Sequence, residues 1–225
     1  MYYRQIGKLS AGLFCLVILN LFITGQLTLY IHPRYVLFTV SMVTAAFIFL
    51  IISLRKYDNK KLRYKLTDLI VVIMALVALI LPASTLSYQT ATNRLQSTKL
   101  SESTPDISSY DSFSQDFTHF DIVDWATLLS SQPPDNLVVG KNAKFYGFIF
   151  SDGDANKYIA RFKLSCCAVD ATPLTVRLTN NDLTNTLDIG AWYEVEGKFI
   201  KENNQFLINL NTVKRIDEPE EPYVY

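Results

Sequence analysis

The segment Cys166-Cys167-Ala168-Val169-Asp170 gathers two thiols and a carboxylate in a chain with only 3 cysteines and 2 histidines. Thiolate sulfur and carboxylate oxygen are donors that zinc and copper accept. Cys166, Cys167 and Asp170 are therefore the candidate metal or redox set, with His119 as a further donor to consider. Two blander readings compete. In one, the cysteines pack, one inside a core and one at a strand end, as thiols commonly do. In the other they form a vicinal disulfide, whose ring departs from ordinary disulfide geometry. No spaced CxxC pair accompanies them and histidine is scarce, so packing is favoured and no cofactor is expected. The third cysteine, Cys15, lies in an apolar run and reads as a small apolar side chain.

Other chemistry is thinly represented. Asp152-Gly153-Asp154-Ala155-Asn156 resembles the start of a calcium loop, but its Gly is misplaced and Lys163 occupies the twelfth position, where a Glu is required. It reads as a hairpin turn. The sequence contains no Gly-rich phosphate loop, GxSxG or HExxH motif. The expectation is a protein that is not an enzyme.

The elements that must carry these residues are short β-type runs. They cover Val138 to Phe150, Tyr158 to Cys167, Leu174 to Thr179, Trp192 to Ile200 and Gln205 to Val213. Gly147 and Gly197 fall inside two of them, as suits strands that bend sharply in a small barrel. An OB-like barrel is expected, with a small sandwich as the alternative. Ahead of it, Asp124 is placed as the N-cap of a short helix ending near Leu129, before Pro133-Pro134.

The N-terminal part is of another kind. Residues 1–89 carry nine Lys/Arg against two Asp/Glu, and residues 90–225 carry twelve against nineteen, so a net of +7 faces a net of −7. Charge-free apolar stretches lie between Lys8 and Arg34, from Tyr35 to Leu54 and from Leu69 to about Leu86. Each approaches the roughly 20 helical residues that cross a bilayer. The first could serve as a signal peptide, but it lacks a small-residue cleavage site and is read as a retained span. Arg55, Lys56, Lys60, Lys61, Arg63 and Lys65 crowd the loop between the second and third runs. Short basic loops stay in the cytoplasm. That places the N-terminus inside, the His32-Pro33 turn outside and the C-terminal domain outside.

The expected organisation is thus an α+β protein of the cell membrane: residues 1–88 a three-helix transmembrane region, 89–114 a polar linker, and 115–225 an extracytoplasmic all-β barrel. The Ser- and Thr-rich stretch from Ser84 to Ser114 is too polar to bury a core and reads as a tether. No span carries an ionisable residue at its centre, so the chain alone is not expected to form an ion path. An acidic domain outside the cell also makes nucleic acid an improbable ligand.

Four passages together resemble the YcgQ-like family of bacterial membrane proteins. They are His32-Pro33-Arg34-Tyr35, Leu81-Pro82 with Ser84 to Ala91, Phe145-Tyr146-Gly147-Phe148, and the Cys166 to Ala171 segment with Gly190 to Gly197. The resemblance implies a subunit of a two-component permease complex, partnered by a multispan membrane protein and the lipid bilayer. It carries a C-terminal domain without assigned catalytic residues. The expected role is an accessory or substrate-presenting subunit of a transport complex. The alternative is a metal- or thiol-handling module using Cys166, Cys167 and Asp170.

Overall fold

Long apolar runs and short alternating ones build two separate units: residues 1–85 with 165–169, and residues 86–164 with 170–225. The computed structural model describes residues 4–55, 66–81, 83–98, 117–153 and 156–225.

The first unit contains α1 (Arg4–Ile23), α2 (Pro33–Arg55) and α3 (Leu66–Ile80), with α1 packed against both other helices. Gly25, at φ 73°, lies in the left-handed region and ends the first helical run. A short 3₁₀ turn, Gln26–Leu29, follows. Pro33 then starts α2, where its fixed φ and missing N–H are tolerated. Among the described residues one helical stretch, Pro33–Ser53, is long and apolar enough to cross a membrane; the apolar part of α1, Ala11–Ile23, is shorter. The expected first span is therefore broken at Gly25, and α3 spans 15 residues. Residues 56–65 of the basic loop lie outside the described residues.

The second unit opens with α4 (Tyr88–Thr98), which corrects the expected tether over its first ten residues. Ala91 is wholly buried, and the Thr92 hydroxyl donates to the Ser151 carbonyl at 3.0 Å. Low average hydrophobicity concealed a helix held by these few contacts. The rest of the linker, residues 99–114, lies outside the described residues.

The helix α5 (Ile122–Ser130) is capped by Asp121, not Asp124. Asp121 Oδ1 accepts from the N–H groups of Val123 at 2.7 Å and Asp124 at 3.1 Å, and Asp124 Oδ2 accepts from the Asp121 N–H at 3.1 Å. This is a reciprocal capping box, with Asp124 at its third position. Asp121→Ala should lower stability by about 1 kcal/mol, read as a shift of the thermal midpoint. An unchanged midpoint would show that the cap is dispensable. The helix seats Trp125, fully buried, against Phe199 with ring centroids 4.5 Å apart. Phe117 and Phe120 cover its other sides at 5.4 and 5.3 Å.

Five strands form the sheet in the order β3-β2-β1-β4-β5: β1 (Asn142–Ser151), β2 (Lys157–Lys163), β3 (Thr172–Arg177), β4 (Trp192–Glu202) and β5 (Gln205–Ile216). The short helices α6 (Asp135–Val138) and α7 (Asp182–Asn185) precede β1 and β4. The sequence-level runs fall on these strands with boundary shifts of a few residues. Among them, β2 ends at Lys163 and leaves Cys166 and Cys167 outside it. All neighbours on this path are antiparallel. The two ends of the path meet at a single isolated bridge, Leu178↔Ile208. The sheet is therefore not a closed barrel. One bridge leaves most of the outer edges of β3 and β5 without a ladder between them. A sixth strand, β6 (Tyr223–Val224), pairs with β2 in parallel where β1 has diverged.

Candidate functional site

Leu164, fully buried, is the last core residue of the β2 segment. Beyond it the chain turns, and Cys166 is exposed while Cys167 is partly buried. Neither side chain lies in the core, so the expectation of one cysteine inside the barrel is corrected. With the strand ended, neighbouring side chains need not point to opposite faces. The Cys166 thiol donates to the Cys167 sulfur across 3.6 Å, far beyond a disulfide bond of about 2.05 Å. The two sulfurs and a carboxylate oxygen of Asp170 all lie within 4.8 Å of one another. His119 is exposed in a separate 3₁₀ turn and is not part of this donor group.

Backbone pairing holds this turn. Within the first unit, Ile31 and Cys167 form an antiparallel bridge. The His32 N–H donates to the Cys166 carbonyl at 2.9 Å, and the Ala168 N–H donates to the Tyr30 carbonyl at 2.8 Å. The turn between α1 and α2 is thus the partner of the two-cysteine segment. No local signal could have revealed this, because the paired residues are 136 positions apart (167 − 31).

Two other polar arrangements are already committed. The expected turn at Asp152 is stabilised by its carboxylate, which accepts from the Tyr158 hydroxyl at 2.9 Å and the Asn156 amide at 3.1 Å. Residues 154 and 155 lie outside the described residues. A cavity of about 620 Å³ beside α5, β3 and β5 is lined by Arg177 and Lys201 and by no Asp or Glu among the described residues. Its cations are engaged: Lys201 with Asp135 at 2.6 Å, and Arg177 with Gln205 and Asn156.

The residue that sequence reading missed is Arg161, on β2 and buried to 6% exposure. Its guanidinium donates to the carbonyls of Glu221 at 2.8 Å, Tyr223 at 2.9 Å and Pro222 at 3.4 Å, and to the Tyr146 hydroxyl at 3.1 Å. It also sits over the Tyr146 ring, 4.6 Å from the centroid. These acceptors are neutral and the cation is well supplied with them, so the arrangement clamps the 221–223 segment instead of offering an open site. Tyr223 extends the clamp by accepting the Leu86 N–H at 2.7 Å. Nearby, burial and then the Glu221 charge push the Tyr225 phenol above its ordinary value, with Arg161 opposing them.

The DUF1980 C-terminal domain matches residues 95–225, more than half of the chain. The chain belongs to the DUF1980 family. The matched span includes all six strands, the Arg161 clamp and the two-cysteine turn of the DUF1980 domain. A search of curated proteins finds no match.

Proposed function

We propose that this DUF1980 protein is a membrane-anchored accessory or substrate-presenting subunit of a transport complex, with a multispan permease-type partner. The observation that carries the reading is the backbone pairing of Tyr30-Ile31-His32 with Cys166-Cys167-Ala168. If α1 and α2 form a membrane hairpin, the turn joining them and the two-cysteine segment must lie on one side of the bilayer. The charge pattern assigns that side to the exterior, because the basic 55–65 loop is expected inside.

Two further features support the reading. α2 leaves Leu37 80% exposed and Phe49 73% exposed, surfaces that suit lipid or a partner's helices and not water. Its apolar stretch, and those around it, contain no charge from which one chain could build an ion path. A transport role therefore needs a second membrane protein. On this reading all three N-terminal helices sit in the bilayer, the antiparallel sheet domain lies outside, and no reaction is catalysed.

Topology is the decisive test. In a background with Cys15, Cys166 and Cys167 replaced by Ser, a cysteine introduced at Ser109 should react with an impermeant maleimide in intact cells. One at Asn59 should react only after lysis. The reverse pattern would sink the reading. A chain that elutes alone from mild detergent, after expression with its native neighbours, would remove the permease partner from it.

A further inference from the structure

We infer that Cys166, Cys167 and Asp170 form a three-ligand site for a zinc-class divalent ion, with water in the fourth position. The sulfur separation is the first argument. Two thiolates on one tetrahedral zinc, each about 2.3 Å from the metal, stand roughly 3.8 Å apart. The observed value is 3.6 Å. A linear two-thiolate ion needs its sulfurs about two bond lengths apart, roughly 4.5 Å, so this spacing disfavours it.

The carboxylate is the second argument. A tetrahedral sulfur–oxygen separation is roughly 3.5 Å from bond lengths of about 2.3 and 2.0 Å. The Asp170 oxygen lies within 4.8 Å of both sulfurs, so modest side-chain rotation closes the set. Two sulfurs with one oxygen leave a fourth position open to water, an arrangement zinc accepts.

Backbone pairing fixes the turn that carries the two thiols: the His32 N–H donates to the Cys166 carbonyl at 2.9 Å and the Ala168 N–H to the Tyr30 carbonyl at 2.8 Å. Metal binding also displaces the thiol protons, so affinity rises with pH.

The test uses the reduced, purified full chain in mild detergent, loaded with zinc and then desalted. One equivalent should remain by elemental mass spectrometry. Cobalt(II) in its place should show sulfur-to-cobalt charge transfer and the intense d–d bands of four-coordination. Cys166→Ser or Cys167→Ser should abolish retention, and Asp170→Ala should release the metal. His119→Ala should change neither retention nor the d–d bands. If a cysteine variant fails to fold, zinc protection of both wild-type thiols from alkylation reads the same contact. No retained metal and no protection would overturn the site, as would full retention by the folded double Ser variant. The site needs only this chain, so its failure would leave the accessory-subunit reading standing.

Discussion

Gly147→Ala is expected to destabilise the DUF1980 domain by about 3 kcal/mol or more, the upper end of the range for overpacking. An added Cβ at Gly147 would stand 2.4 Å from the Ala160 carbonyl oxygen and 3.0 Å from its carbon. The obstacle is the backbone of β2, which cannot swing aside as a flexible side chain can. Gly197→Ala meets the same fate against the Asn209 carbonyl oxygen, also at 2.4 Å, where β4 and β5 shift register. For a domain of this size the loss corresponds to a fall in melting temperature of roughly 10 °C. Lys144→Ala, on the exposed side of β1, is the control and should change stability by no more than about 0.5 kcal/mol. A Gly147→Ala variant that melts with wild type would show that β1 and β2 can separate at no cost.

Removing the Arg161 guanidinium should have an effect of comparable size. Arg161→Met keeps the apolar length but leaves the carbonyls of Glu221, Pro222 and Tyr223 without their donor. Hydrogen bonds to a charged group contribute about 1.5–3 kcal/mol each, and orphaned buried acceptors cost about 1–3 kcal/mol. The effects are not additive, and a net loss of about 3–5 kcal/mol is expected. Arg161→Lys should recover only part of it, because an ammonium lacks the planar fork that spans several acceptors. Limited proteolysis should cut first within residues 217–225, freed from β2. Equal protection of that segment in wild type and Arg161→Met would refute the clamp.

Arg161 also marks the limit of what the chain discloses before it folds. The run Tyr158 to Cys167 reads only as a strand, and nothing in it singles out Arg161 as a buried cation. Apart from the Tyr146 hydroxyl, its acceptors arrive from residues 60 positions and more downstream, on a segment with no strand signal of its own. The strands themselves were legible because their periodicity and turn residues are local properties. Gly147 and Gly197 were also visible, as sharp bends; the structure adds that each accommodates a neighbouring carbonyl. Asp124 was noticed while Asp121 was not, since both precede the same apolar run and only geometry tells the cap from its reciprocal partner. For the candidate site, Cys166, Cys167 and Asp170 were found because sequence neighbours stay neighbours. Their partner, the His32 turn, depends on a pairing that no local pattern encodes.

That pairing sets an order of events. The α1–α2 hairpin can form as soon as its own residues are made, yet the backbone edge at Ile31 has to wait for Cys167, 136 residues later (167 − 31). At about 5–20 residues per second of synthesis, that is a delay of roughly 7–27 s. Through this interval the hairpin turn presents unpaired N–H and C=O groups, and it is open to whatever else can offer a strand edge. The bridge that then closes spans a long loop and few hydrogen bonds, so it should open more readily than the sheet, and amide exchange at His32 and Ala168 should outrun that of the strands.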